Sequence, residues 1–214
     1  STQTYKLVNS GDGGFLGTDD AEVAARAIML SGSYMLYARH RAAPPPEAFE
    51  TARYEMPNVS GRMDNLRAAI LRPQLRALGA QCARWNERYA QVARGLATCP
   101  GLARIERPPK EGFVASSYQF LLLDWPDEAI RRVFAGGGAR GVELKWVGAP
   151  EPQGFTSTYR SWRYAAPEPM PATDRILRGV IDMRLPLTFS LEDCALIARI
   201  IREEVSFVFQ AASA

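Results

Sequence analysis

The sequence predicts a mixed α/β protein in which one long helix precedes a small domain of alternating strands and helices. From Met63 to Thr98, apolar residues recur at helical spacing over about nine turns. After Gly101, short apolar runs alternate with amphipathic segments, which is typical of α/β architecture. The residues before this helix contain a glycine-rich turn and one short helical pattern.

The first part of the chain is expected to hold a strand, a helix and a connector. Residues 13–18 predict a short strand, and a helix follows over 21–30, where apolar positions repeat at helical spacing. Thr18 or Asp19 is a plausible N-cap for it. The segment 31–57 contains three consecutive prolines and little periodicity, so we expect an extended connector.

The long helix is predicted to end at Cys99-Pro100-Gly101. Pro73 is expected to kink it, since proline removes a helical donor and clashes with the preceding turn. The predicted apolar stripe consists of Leu66, Ala69, Ile70, Leu75, Leu78, Cys82, Trp85, Tyr89, Val92 and Leu96.

The last part of the chain predicts three strands and three helices. The strands are expected over 116–123, 142–147 and 183–187, and the helices over 126–134, 173–181 and 191–209. Gly136–Gly138 predicts a turn, and 148–171 a proline-rich loop. Thr173 could cap one helix, while Ser190 and Asp193 have the spacing of a capping box at the start of the last one.

Composition excludes several classes of protein. Hydrophobic content of 47% and charged content of 23% are those of a soluble globular chain. The formal net charge of +3 is too small and too dispersed to predict nucleic-acid binding. No apolar run is long enough for a membrane helix, and no signal pattern opens the chain. Cys82, Cys99 and Cys194 lack metal-site spacing, so we expect reduced thiols in a cytoplasmic protein.

Lys6 is the first candidate for chemistry. Only Lys6, Lys110 and Lys145 are lysines among 26 basic residues, the rest being arginines. Lys6 lies between short polar residues and a glycine-rich turn. A lysine amine can form a Schiff base, which an arginine guanidinium cannot do because it stays protonated. A solvated loop lysine without a function is the alternative interpretation.

The run from Ser1 to Asp20 resembles the active-site segment of the DegT/DnrJ/StrS family of pyridoxal-phosphate aminotransferases. The residues that carry the resemblance, in order and spacing, are Ser1, Lys6, Asp12, Gly13 and Gly14. The resemblance implies that Lys6 is the Schiff-base lysine and that Ser1 binds the cofactor phosphate. A serine without function at the start of the chain is the alternative for Ser1, and the glycines would hold the turn that aims Lys6.

The resemblance continues downstream. Residues 62–75, which begin Arg62-Met63, resemble the family's Asn-Tyr-Arg-Met segment and its following helix, and 184–194 resembles its last strand and helix. There is little match between residues 31 and 56 or between 145 and 170. The implied fold is that of a fold-type-I PLP-dependent transferase.

The resemblance also implies a division of the chain. The end of the large cofactor-binding domain and a connector would occupy 1–57. A long interdomain helix would occupy 58–100, and a small C-terminal α/β domain 101–214.

The implied activity is transfer of an amino group, through a Lys6 Schiff base with pyridoxal 5'-phosphate. The donor would be glutamate or glutamine, and the acceptor a keto-sugar nucleotide or related cyclic keto-polyol. The implied partner is a second copy, in a homodimer with shared active sites. An asparagine of this family contacts the phosphate of the neighbouring subunit's cofactor. The resemblance implies that Asn58 binds this phosphate, although it lies two residues upstream of the family's position; Ser60, which occupies that position, is the alternative.

Two other functions stay open. A sugar dehydratase can use the same scaffold. One such branch has lost the Schiff-base lysine, which this chain keeps as Lys6. A second branch keeps the lysine and adds a cysteine-bound cluster, for which Cys82, Cys99 and Cys194 lack suitable spacing. The chain could also be a non-catalytic domain that needs a separate N-terminal half, because the family's aspartate and stacking aromatic ring for the cofactor have no counterpart here.

Two further groups have open interpretations. The only histidine, His40, is expected to be exposed in its loop rather than catalytic. Aromatic and basic residues between Tyr159 and Tyr164 could stack a nucleotide base and pair with its phosphates, or could pack a loop against a partner.

Overall fold

The computed structural model describes residues 1–57, 59–151, 159–164 and 166–213, which divide into two compact units, Ser1–Gly79 and Ala80–Ala214. The helices are α1 (Ala21–Leu30), α2 (Phe49–Glu55), α3 (Asn65–Gly95), α4 (Asp127–Ala139), α5 (Pro171–Arg178) and α6 (Leu191–Ser213). The strands are β1 (Ala103–Arg104), β2 (Ser117–Leu121), β3 (Lys145–Trp146) and β4 (Val180–Arg184). Short 3-10 helices cover Tyr37–Arg39, Pro46–Ala48 and Tyr159–Ser161.

Helix α1 has the predicted bounds but a different cap. The Asp20 carboxylate accepts hydrogen bonds from the backbone N–H groups of Glu22 and Val23, at 2.8 and 3.0 Å. The prediction of Thr18 or Asp19 as N-cap was therefore wrong. Asp20 directly precedes the first helical residue, and from there its carboxylate reaches the unsatisfied donors of the first turn.

The prediction of an extended connector over 31–57 was wrong as well. This segment holds the first two 3-10 helices and α2, which packs against α1. Phe49 and Ala52 of α2 are buried with three residues of α1, and the ring of Tyr37 lies 4.6 Å from that of Phe49. Burial of these side chains against α1, rather than local periodicity, stabilises the segment.

Residues 13–18 form no strand, contrary to the sequence prediction. A strand requires a neighbour with which to exchange backbone hydrogen bonds, and no described residue provides a ladder for this segment. Phe15 and Leu16 are exposed.

Helix α3 contains 31 residues, including Pro73, and its two halves belong to the two units. In the second unit, the side chain of Arg88 is buried and donates to three carbonyl groups. Its Nε lies 2.7 Å from the oxygen of Phe189, and its Nη2 lies 3.2 Å from that of Leu187. The third acceptor is Arg84 within α3. The guanidinium therefore fixes the turn that leads into α6.

The second unit is built on a four-stranded antiparallel sheet with the order β1-β2-β4-β3. Tyr118 lies opposite Met183, and Phe120 lies opposite Ile181, so these side chains share one face of the sheet. All of them are buried with residues of α3, α4 and α6 in one core. The mixed α/β fold class is therefore as predicted.

Gly136–Gly138 lie inside α4, so the prediction of a turn there was wrong. A Cβ atom at Gly136 would lie 2.0 Å from Oε2 of Glu204 in α6, so the Glu204 side chain lies against α4 at this glycine. The turn comes later, at Gly141, where φ is 80°.

Several element bounds also differ from the predictions. Helix α5 begins at Pro171 without a side-chain cap, so Thr173 lies inside it. Strand β4 starts at Val180, and β3 is only two residues long. The capping box of α6 is confirmed: Ser190 Oγ accepts from the Asp193 N–H at 3.0 Å, and Asp193 Oδ2 accepts from the Ser190 N–H at 2.8 Å.

No helix in the described part of the chain has the length and apolar character to cross a membrane. Nor do His, Cys, Asp and Glu side chains in those ranges gather in a group of three or more that could hold a metal ion.

Candidate functional site

Lys6 lies on a loop whose two ends are joined by backbone hydrogen bonds. The Thr2 N–H donates to the carbonyl of Gly13 at 2.8 Å, and the Ser10 N–H donates to the carbonyl of Thr2 at 2.9 Å. The Thr2 side chain is fully buried, and its hydroxyl donates to the carbonyl of Asp12 at 2.8 Å. Residues 2–13 therefore form a closed loop, which we call the Lys6 loop.

Glycines give the Lys6 loop its shape. Gly11 and Gly13 have φ values of 92° and 101°, a conformation that residues with a side chain rarely adopt. A Cβ at Gly13 would also lie 2.7 Å from Met63 Cε. The glycines thus have the structural role that the sequence suggested, because they let the chain turn and pack closely.

The Lys6 loop is attached to α3 through Asn9 and Gln74. The Asn9 N–H donates to Gln74 Oε1 at 2.9 Å, and Gln74 Nε2 donates to the Asn9 carbonyl at 2.7 Å. Gly13 also lies close to Met63. Together with the Asn9–Gln74 pair, this contact brings the two segments that resemble the family, residues 1–20 and 62–75, next to each other. Sequence reasoning missed Gln74; its position at the end of the second family-like segment was the available signal.

The Lys6 side chain is exposed. Its backbone N–H donates to the carbonyl of Gln3 at 2.9 Å, and its own carbonyl accepts from Asn9 Nδ2 at 3.3 Å. No described residue makes a hydrogen bond or ion pair with Lys6 Nζ. The loop therefore holds the backbone of Lys6 and leaves its amine available to a ligand.

The other predicted cofactor residues have different positions. Ser1 is exposed, and its Oγ accepts from the Gln3 N–H at 3.4 Å, so the hydroxyl lies within the Lys6 loop's own bonding network. Asn58 lies outside the described residues, and Ser60 is exposed. His40 is exposed, as expected, and its Nδ1 accepts from the Ala42 N–H at 3.3 Å.

In the second unit, the aromatic and basic residues after 158 border a cavity of about 500 Å³. Arg160 is paired with Asp174, and Arg178 Nε lies 2.8 Å from Asp127 Oδ1. The rings of Trp162 and Tyr164 stack with centroids 5.5 Å apart. Both arginines are therefore already paired with carboxylates of the chain, and the two interpretations of this region, nucleotide binding and packing against a partner, stay predictions.

Comparison with known proteins identifies the family. A model of the DegT/DnrJ/EryC1/StrS aminotransferase family matches residues 1–202. Among curated proteins, none matches this chain.

Solved structures show the same fold. The aminotransferase TlmJ from Streptoalloteichus hindustanus is 20% identical, with a TM-score of 0.70 over 100% of this chain and 52% of that one. The synthase of 3-amino-5-hydroxybenzoic acid is also 20% identical, with a TM-score of 0.70 over 97% of this chain and 53% of its own. DesI, solved in the presence of its TDP-sugar product, is 19% identical, with a TM-score of 0.70 over 99% of this chain and 50% of the DesI chain.

This chain therefore spans about half the length of the structures that it matches. Its α/β fold is that of these solved structures, and the family match covers residues 1–202 of the chain. The chain belongs to the DegT/DnrJ/EryC1/StrS aminotransferase family.

Proposed function

We propose that this chain provides the cofactor-holding lysine of a pyridoxal 5'-phosphate-dependent aminotransferase. The reaction moves an amino group from glutamate or glutamine to a keto-sugar nucleotide or a related cyclic keto-polyol. Membership of the family supports the reaction class. A sugar nucleotide as acceptor is supported by the resemblance to DesI, which was solved with a TDP-sugar product.

The observation that carries this proposal is the Lys6 loop. Hydrogen bonds from Thr2, Ser10 and Gln74 fix its backbone, while the Lys6 amine projects without a protein partner among the described residues. Such rigidity matters because a reacting amine has to be held close to one geometry. A lysine on an unanchored surface loop would lack that restraint.

The residues present fit the cofactor. A primary amine is the group that joins an aldehyde, and the Ser1 hydroxyl is a suitable donor for a phosphate oxygen. When bound, pyridoxal phosphate supplies an electron sink for carbanion chemistry. Lys6 would hold the cofactor through Nζ, and Ser1 would hold its phosphate.

Lys6 has a second role in the proposed reaction. When it does not hold the cofactor, Nζ would remain on the same restrained loop. It would take the proton from the carbon that bears the donor's amino group, as a general base, and later return a proton as an acid. One side chain would therefore both hold the cofactor and transfer the proton. This accounts for a lysine at this position in a chain that otherwise prefers arginine.

The proposed working unit is a homodimer. In the first unit, Leu66, Ile70 and Leu75 of α3 expose apolar surface, with Leu66 73% exposed. Apolar side chains spaced along one helix are suited to burial against a partner. Analytical sedimentation of the purified protein measures its oligomeric state directly.

The test is a titration with pyridoxal 5'-phosphate followed by absorbance spectroscopy. The chain itself is compared with Lys6→Ala, while Lys110→Ala and Lys145→Ala serve as matched controls because they remove the only other lysines. In the parent chain and both controls, we expect a new absorbance band at a longer wavelength than the band of the free cofactor. We expect no such band in Lys6→Ala. A band that survives Lys6→Ala contradicts the proposal.

A further inference from the structure

Helix α5 of the second unit buries none of its residues. By contrast, α4 and α6 each bury several side chains in the core of that unit. Burial of apolar surface is the main term that holds a helix on its neighbours, and α5 has little of it. The attachment of α5 therefore depends on polar contacts.

Two ion pairs join α5 to the corner between β2 and α4. Arg175 Nε donates to Asp124 Oδ1 at 2.8 Å, and its Nη2 contacts the other carboxylate oxygen. Arg178 Nε lies 2.8 Å from Asp127 Oδ1. The two arginines are three positions apart on the helix, as are the two aspartates along the chain. The pairs therefore form successive contacts along one side of α5.

A third ion pair attaches α5 to the short 3-10 helix Tyr159–Ser161. Arg160 of that helix is paired with Asp174 of α5, and this contact is the main reason that the pKa of the Asp174 carboxyl is below its ordinary value. In all three pairs the arginine side chain is more than half exposed. Solvated pairs of this kind are screened by salt, and each one contributes little by itself.

The C-terminal end of α5 is held by hydrogen bonds to its backbone as well. The carbonyl of Arg178 accepts from Trp146 Nε1 at 2.6 Å, and the carbonyl of Gly179 accepts from the Leu122 N–H at 2.9 Å. At the N-terminal end, residues 171–173 are exposed. When the ion pairs break, the helix can therefore pivot about its C-terminal end.

Asp124 has an uncommon backbone conformation. Its φ is 61°, and among the described residues it is the only one other than glycine with a positive φ. Aspartate and asparagine enter this left-handed region at a modest cost, and such a conformation persists where its surroundings favour it. The two-point contact with the Arg175 guanidinium is one such surrounding. The corner is therefore shaped to meet α5.

Asp174, Leu177 and Arg178 of α5 form part of the wall of the cavity of about 500 Å³ in the second unit. We propose that α5 is a salt-sensitive latch of this cavity, closed while its three ion pairs are formed and released at its N-terminal end when they break. Release displaces Asp174 and widens the cavity. The inference is independent of the role of Lys6, because all of these residues lie in the second unit.

The experiment is hydrogen–deuterium exchange of the purified protein, followed by mass spectrometry, at about 0.1 M and about 1 M sodium chloride. Over that range the Debye length falls from about 10 Å to about 3 Å. The peptide that carries α5 is compared with peptides from α4 and α6, which buried side chains hold in the core.

The variants are Asp124→Asn, Arg175→Gln and the two combined. Asparagine suits the left-handed conformation at position 124, so this variant removes the charge and keeps the backbone. Glu128→Gln is the matched control. Glu128 is an exposed carboxylate in the first turn of α4, and its partner Arg132 lies on the same helix. The control therefore removes the same charge from the same region without removing a contact to α5.

In the parent chain, we expect the amides of α5 to exchange about threefold faster or more at the higher salt concentration, while those of α4 and α6 stay within about twofold. At the lower salt concentration, Asp124→Asn and Arg175→Gln should each speed exchange in α5 by about 1.5-fold to fivefold. The double variant should add little to either, because both changes remove the same pair. Glu128→Gln should match the parent chain.

Ala149→Cys gives a second measurement, which reports on the cavity. Ala149 is buried and lines the cavity, so the rate at which iodoacetamide alkylates the introduced thiol follows access to it. Alkylation should be about threefold faster or more at the higher salt concentration. Cys194, which is fully buried in the core, is the internal reference and should not change.

Three results would overturn the proposal. The first is exchange in α5 that is the same at both salt concentrations, and the second is a rise of equal size in α4 and α6, which indicates general unfolding of the unit. The third is an effect of Glu128→Gln as large as that of Asp124→Asn. Alkylation of the introduced thiol that salt leaves unchanged would overturn the control of the cavity by α5.

Discussion

Gln74 of α3 makes two hydrogen bonds to the backbone of Asn9, accepting from its N–H at 2.9 Å and donating to its carbonyl at 2.7 Å. The two residues are 65 positions apart, so a single amide side chain connects the Lys6 loop to the long helix. A carboxamide suits this role because it carries an acceptor oxygen and N–H donors on one group.

Gln74→Ala is expected to loosen the Lys6 loop. Losing both bonds should reduce the free energy of unfolding by about 1–2 kcal/mol, and cofactor binding should weaken as well. Urea unfolding and the absorbance titration measure the two effects. Gln91→Ala, which removes an exposed side-chain bond elsewhere on α3, should change neither. Wild-type cofactor binding in Gln74→Ala would contradict the role given to this pair.

Gly13→Ala is expected to destabilise the first unit. Its φ of 101° costs an alanine roughly 1–2 kcal/mol, and the new Cβ would push Met63 Cε away. Gly17→Ala is the control, because nothing lies within 4 Å of a Cβ there and its φ is not positive. Thermal unfolding should separate the variants, with Gly13→Ala the less stable.

Gly136→Ala and Gly138→Ala should have different effects on stability, although both residues lie in α4. Alanine at Gly138 meets open space and should stabilise the helix by about 0.5–1 kcal/mol. At Gly136 a Cβ would collide with the carboxylate of Glu204, which pairs with Arg140 at 2.9 Å. That carboxylate must move, so we expect no net gain there. Equal stabilisation in chemical unfolding would argue against close packing of α4 on α6.

Alkaline pH should destabilise the second unit through Tyr118. Burial, followed by the neighbouring Tyr89, raises the pKa of Tyr118 to about 12 from 10.0. A raised pKa means that the stabilisation is complete below pH 10 and is lost as pH rises towards 12. At pH 11 the loss should be about 1.4 kcal/mol.

Tyr118→Phe tests that pH dependence, since it removes the titrating hydroxyl and keeps the ring. Urea unfolding at pH 8 and pH 11 should show a smaller pH-dependent loss in the variant than in the parent chain. Identical losses would mean that Tyr118 is not the titrating group.

Local sequence signals predicted the features that local interactions determine. The capping box of Ser190 and Asp193 could be predicted because its partners lie within a few residues, and the bounds of α1 followed from its own helical periodicity. The resemblance of the segment from Ser1 to Asp20 to the family could be recognised for the same reason. Its residues are consecutive and their spacing is specific.

Features that depend on distant partners were missed. Gly136–Gly138 suggested a turn because glycine disfavours helix, but they lie inside α4, where the Glu204 side chain of α6 lies against Gly136. The folding of 31–57 depends on Phe49 packing against α1, which no local pattern displays. The Asn9–Gln74 pair joins segments that only the folded chain brings together.

The central claim is that Lys6, and no other lysine, holds the cofactor. Its most direct test is to incubate the protein with pyridoxal 5'-phosphate, reduce the adduct with borohydride, digest it and locate the modified lysine by mass spectrometry. We expect stoichiometric modification at Lys6. Modification mainly at Lys110 or Lys145, or none at Lys6 under conditions where the absorbance band forms, would contradict the claim.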